Sequence, residues 1–92
     1  MVTTIGIDPH KATHTAVAID GSETVLGEIT VRADRFQTNK LVDWAGGLDG
    51  DGRLWAVEAA GGLAYLLSQQ LVTRGEKVVD VPPVLASGPS NC

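Results

Sequence analysis

Residues 1–20 read MVTTIGIDPHKATHTAVAID. Within them an apolar run from Thr3 enters a single carboxylate, Asp8, and the chain then turns and runs apolar again. In an extended chain Ile5 and Ile7 share one face, and Gly6 and Asp8 share the other. Pro9 has no N–H to give a ladder, so the strand should stop or reach the sheet edge there. Thr13 to Asp20 alternates Thr15, Val17 and Ile19 against His14, Ala16, Ala18 and Asp20, which predicts a second strand. Asp20-Gly21-Ser22 is a hairpin signal, and Thr24 to Val31 is a third strand. A charge beside a core is costly unless it is partnered. Asp8 is therefore either a turn residue at a strand edge or part of a site.

Beyond Val31 the period changes. From Arg35 to Ala45, Phe36, Leu41, Trp44 and Leu48 fall at helical spacings. Asp34 or Thr38 is placed to cap the start, and Gly46-Gly47 to end the helix. Asp49-Gly50-Asp51-Gly52 is a loop, and Arg53 to Glu58 is a buried strand that also ends on a carboxylate. Gly61-Gly62 opens a second helix to Arg74, with Leu63, Leu66, Leu67 and Leu71 as its apolar stripe and Gly75 at its end. Lys77 to Val81 is a fifth strand, stopped by Pro82-Pro83. The order β-β-β-α-β-α-β predicts an α/β mixed sheet: an antiparallel meander on one side, and parallel strands returned by helical crossovers on the other.

Composition narrows the function classes. The chain has 92 residues, 43% hydrophobic and 20% charged, which suits one small globular domain. We expect residues 1–83 to form that domain and 84–92 to be an off-pattern tail of loop composition. The net charge of −4 argues against a free-standing nucleic-acid binder, but not against an acidic metal site. The single cysteine, Cys92, excludes an internal disulfide and a cysteine metal cluster. A reducing cytoplasm is the expected compartment. No apolar run approaches the roughly 18 residues of a membrane span, and residues 1–20 lack a signal-peptide pattern.

The first strand should be central, with the fourth parallel beside it. Asp8 and Glu58 would then sit at the same end of adjacent strands, where open α/β sheets place their ligands. A divalent cation relieves the repulsion of two such carboxylates, and oxygen donors suit Mg²⁺ or Mn²⁺. The structural alternative is ordinary turn chemistry at Asp8-Pro9 and a helix-opening acid at Glu58. Residue types alone leave both open.

The runs IGIDPHKATHTAVAID, LWAVEAAGGLAYLLSQQL and KVVDVPP resemble the start of transposases of the insertion sequence 110 family. The resemblance covers roughly residues 3–86. Its most specific parts are Gly6, Ile7, Asp8 and Lys11, and Glu58, Ala59 and Gly61. It implies a RuvC-like domain of the ribonuclease H fold, in a recombinase guided by RNA. It also implies metal-dependent cleavage and strand transfer of DNA, with Mg²⁺ or Mn²⁺ held by four acids in the order Asp, Glu, Asp, Asp. Asp8 takes the first position and Glu58 the second; Lys11 would approach the nucleic acid. The other two acids belong to a Lys-Thr-Asp-x-x-Asp pattern, which these 92 residues do not contain. Nor do they contain the family's serine-bearing domain, and Ser87 and Ser90 match no part of it. On the resemblance, the chain is expected to be a truncated, inactive portion of a transposase, incomplete at the C-terminal side of its fold. DNA and a guide RNA are its implied partners, and no membrane is.

An uncovered apolar sheet face would favour self-association. Two other functions fit the residues less closely: a non-catalytic interaction module pairing through the sheet edge, and an ATP-binding fragment of the actin and sugar-kinase type. The latter normally has glycines where Pro9, His10 and Lys11 stand. Among the remaining residues, His10 reads as a solvated loop residue and His14 as an edge or surface side chain. Asp20 reads as a turn residue, Asp80 as structural, and Trp44 and Trp55 as core anchors.

Overall fold

The computed structural model describes residues 2–48, 52–58 and 64–81, residue 58 in its backbone alone. The expected loop at 49–51, the helix-opening Gly61-Gly62 with Leu63, the double proline and the tail 84–92 lie outside the described residues. The elements are β1 (Thr3–Pro9), β2 (Thr13–Ile19), β3 (Val25–Arg32), α1 (Gln37–Gly46), β4 (Arg53–Glu58), α2 (Tyr65–Thr73) and β5 (Lys77–Val81). They form one five-stranded sheet in the order β3-β2-β1-β4-β5. β1–β2 and β2–β3 are antiparallel, and β1–β4 and β4–β5 are parallel. This is the mixed sheet of a ribonuclease H-like fold, with β1 at its centre.

The alternation read from the sequence assigns the faces. Ile5 pairs with Ala18 and with Trp55, and Ile7 with Ala16 and with Val57. These side chains join Leu41 and Ala45 of α1 and Leu67 and Leu71 of α2 in one buried cluster. Small alanines opposite the isoleucines leave room for the helices to approach. Both helices therefore lie on one face, and the molecule is two layers deep, 20 Å in its shortest dimension. The other face carries Gly6, Asp8, Thr15, Thr30 and Ala56, and is free of helix among the described residues.

Turn and cap chemistry differs in detail from expectation. Asp20 closes its hairpin as predicted, its Oδ1 accepting from Ser22 N–H at 2.8 Å and Thr24 N–H at 3.0 Å. These bonds hold Glu23 in the left-handed region at φ 63°. α1 has no side-chain cap at its N-cap, Phe36. Asp34 accepts instead from Phe36 N–H at 2.9 Å, one residue outside the helix. Thr38 is buried, and its hydroxyl donates to Gln70 Oε1 at 2.6 Å, where Gln37 Nε2 also donates at 2.9 Å. Two stripe residues are corrected: Phe36 is 48% and Leu66 60% exposed. Only one side of each helix meets the sheet. The seam Ala64, Leu67, Leu71 is complete without its neighbour at 66.

At the opposite sheet end from Asp8, a polar anchor fixes β4. Arg53 donates to both oxygens of Glu76, Nε at 2.8 Å and Nη2 at 2.9 Å. The indole N–H of Trp55 donates to the same carboxylate at 2.8 Å. Hydrogen bonding to Arg53 holds the Glu76 carboxyl below its usual 4.5; burial opposes this, and the Trp55 N–H adds to it. Gly75 at φ 85° makes the left-handed turn that carries the chain from α2 into this anchor.

Candidate metal centre

Asp8 reaches its position because it is the penultimate residue of β1, which stays paired through Pro9↔His14 before the chain turns at 10–12. The hairpin closes with His10 N–H donating to Thr13 C=O at 2.8 Å. Asp8 is 68% exposed in its side chain and lies on the helix-free face. Its Oδ2 is 3.3 Å from His10 Nε2, an ion pair when the imidazole is protonated. The carboxylate thus opens to solvent at the carboxyl end of the central strand, with no buried counter-charge among the described residues.

Position 58 is the last residue of β4. The parallel register runs Thr3↔Arg53 through Ile7↔Val57, so it stops one residue short of Asp8 and Glu58. The backbone brings the two predicted site residues to the same end of adjacent strands. The Glu58 side chain lies outside what is described. Lys11 is exposed in the loop after Asp8, three residues along. Among the described residues no three His, Cys, Asp or Glu side chains cluster.

Neighbours on the same face complete the surroundings. Thr15 pairs with Asp8 across β2, and its hydroxyl shares a 3.2 Å hydrogen bond with that of Thr30. A Cβ added at Gly6 would meet nothing within 4 Å among the described residues, so their packing does not explain the glycine. The face beside Asp8 is consequently flat and small-residued. Asp80 is placed elsewhere: it pairs with Val57, on the helix-bearing face, and is exposed there.

Reading the sequence alone underweighted two residues. His10 is a partner of Asp8, two positions on across Pro9, and only that spacing hinted at it. Thr15 was legible from the hairpin register. His14 is a correction: it is 2% exposed, not a surface side chain. It falls in series with Ala16 and Ala18 on the helix-covered face, beneath Gln37. Among the described residues its Nδ1 has no hydrogen-bond partner. Burial lowers its pKa from 6.5; a hydrogen bond with Gln37 opposes this, and the charge of His10 adds to it.

A proton bound at His14 favours the unfolded chain, because the folded pKa is the lower one. Stability is full above pH 6.5 and falls as pH drops through the folded value. In His14→Leu that loss, up to about 1.4 kcal/mol per pH unit, should disappear from urea titrations run between pH 7.5 and pH 5.

Comparison with known proteins identifies the family of the chain. A family model described as Transposase, of the DEDD class of insertion sequence 110, matches residues 5–89. A curated protein of Streptomyces clavuligerus, the insertion element IS116 uncharacterized 44.8 kDa protein, is 36% identical over 78 residues. That match covers 85% of this chain and 19% of the relative, so the chain spans about a fifth of its length.

Proposed function

The chain belongs to the DEDD transposase family of insertion sequence 110, and from that we propose that it contributes the first two acids of a metal site for DNA cleavage and strand transfer. The observation that carries this reading is the parallel β1–β4 register, which ends just before Asp8 and Glu58. The donor set suits a hard divalent cation. Mg²⁺ and Mn²⁺ favour carboxylate oxygen, and Mg²⁺ is commonly held through one or two carboxylates with water completing the shell. The high exposure of Asp8 leaves its oxygens available.

When bound, such a cation supplies an activated water or hydroxyl and relieves charge on the leaving oxygen. The chain's own residues do the rest. Asp8 and Glu58 fix the site at the rim of a rigid sheet. His10, 3.3 Å from Asp8, orients that carboxylate. Lys11 offers an ammonium to a phosphate approaching the same rim. The flat surface at Gly6 lets a strand of nucleic acid lie close to the carboxylates. On this reading the third and fourth acids come from elsewhere in the whole protein, as does guidance by RNA. Self-association is a second reading, supported by exposed Leu26, Val79 and Val81 on strands of the helix-free face.

Calorimetric titration with Mn²⁺ tests the proposal. Asp8→Ala and Glu58→Ala should each weaken binding by about tenfold or more, the scale of losing one ligand or its orienting partner. The 92-residue chain should bind the ion without nicking supercoiled DNA. Unchanged binding isotherms in both variants would sink the metal-site assignment.

A further inference from the structure

A second feature lies outside the carboxylate rim. The cleft between α1 and α2 has a volume of about 380 Å³; Arg35, Asn39, Thr73 and Arg74 are among its polar lining residues, beside Gln70 and the exposed Leu66. Among the described residues no carboxylate lines it, although acids outnumber bases eleven to seven in the whole chain. Neither arginine has an ion-pair partner among the described residues. The nearby acids are occupied. Asp34 accepts from Phe36 N–H, and Glu76, within the field of Arg74, is tied to Arg53 and Trp55.

The arginines are held rather than loose. Arg74 Nη1 donates to Asn39 Oδ1 at 2.5 Å, which fixes the guanidinium at the cleft and leaves its other N–H groups to a ligand. The Arg35 guanidinium lies 4.9 Å over the half-exposed ring of Phe36. Ala33 N–H donates to Ala12 C=O at 2.9 Å, which ties the Lys11 loop to the segment entering α1. Lys11, Arg32 and Arg35 therefore share one corner of the molecule, continuous with the end of β1 that bears Asp8.

A planar guanidinium presents paired donors that match phosphate oxygens, and hydroxyl and amide groups extend the match. An exposed aromatic under an arginine gives a base a face on which to stack, as in single-strand binders. We propose that the α1–α2 cleft grips the phosphodiester backbone of one nucleic-acid strand that leads away from the Asp8 rim. This rests on the reading of the chain as a nucleic-acid-processing domain, and it assigns the cleft no base specificity.

Fluorescence anisotropy of the 92-residue chain with labelled single-stranded DNA and RNA, of the same sequence and about 20 nucleotides long, tests it. EDTA is present throughout, so a failed metal site and a failed cleft give different results. Arg35→Glu and Arg74→Glu should each weaken binding about tenfold. Each should also flatten the salt slope by about 0.7. Arg35→Lys should retain most of the binding. Lys77→Glu, which lies away from the cleft on β5, should change affinity by less than about twofold, having no phosphate to lose. The Arg35 side chain makes no hydrogen bond among the described residues and stacks only on exposed Phe36, so its variant keeps the result clear of folding, as circular dichroism will show. Tighter binding of RNA or of DNA supports the cleft and names the source of the phosphate. Absence of binding by the wild type overturns the proposal, as does an equal loss in Lys77→Glu.

Discussion

Replacing Trp55 with alanine should lower the melting temperature by about 20 °C, a loss of about 3–5 kcal/mol in a chain of this size. Trp55 is fully buried, and it is the largest fully buried side chain among the described residues. It sits on β4 between Ile5 of β1 and Val78 of β5, so its removal opens a void under both parallel pairings. Its indole N–H also leaves Glu76 with one donor fewer. Small domains are stable by only about 5–10 kcal/mol, so the variant loses much of its margin. Thermal melting followed by circular dichroism measures the shift. Trp55→Phe separates the two contributions, since it keeps most of the volume and deletes only the hydrogen bond. A fall of a few degrees in Trp55→Ala would show that the core closes around the gap.

The second large effect concerns Glu76. Its side chain is 14% exposed and accepts three hydrogen bonds, two of them from Arg53. Glu76→Gln removes the charge and leaves the Arg53 guanidinium without its counter-ion. The expected loss is about 2–3 kcal/mol at neutral pH, the range for hydrogen bonds to charged groups. Arg53 pulls the folded pKa below 4.5, so the carboxylate stabilises the protein fully above that value. The contribution fades as pH falls through the lower, folded pKa. Denaturant titrations down to pH 3 should show this acid loss in the wild type and not in Glu76→Gln. It lies below the window that belongs to His14, so the two groups are resolved by pH. Trp55 and Glu76 share a bond, so their effects should not add.

The fold was largely legible because its signals are local. Period-two alternation in Thr13–Ile19 and in Arg53–Glu58 assigned strands and faces, and Asp20-Gly21 placed a turn. Strand order followed from crossover geometry applied to β4 and β5. Side-chain placement was less legible, because it depends on tertiary neighbours. His14 was misplaced for a polar residue's usual preference, although its series with Ala16 and Ala18 pointed inward. Leu66 was counted into a stripe that, among the described residues, Ala64, Leu67 and Leu71 form. Glu76 drew no reading from the sequence, since its partners Arg53 and Trp55 come from another element. At the candidate site, Asp8 and the position of Glu58 were legible as strand ends. The contact of His10 with Asp8 depends on the turn at Pro9, whose geometry the sequence does not specify. The arginine-lined cleft was invisible, because it joins two helices that crossed the sheet separately.

The central place of β1 also bears on how the chain assembles. β1, β2 and β3 are joined by short turns and can form a meander as soon as residue 32 is made. β4, at residue 53, must instead return across the intervening helix and insert beside the oldest strand, closing a loop whose entropic penalty grows slowly with its length. Asp8 and residue 58 thus meet only when that late docking occurs. On the metal-site reading proposed above, a divalent ion that took both carboxylates would bind the docked state in preference to the open one, and by mass action would clasp β4 to β1. The acids proposed for that chemistry would then also report that β4 is in place beside β1.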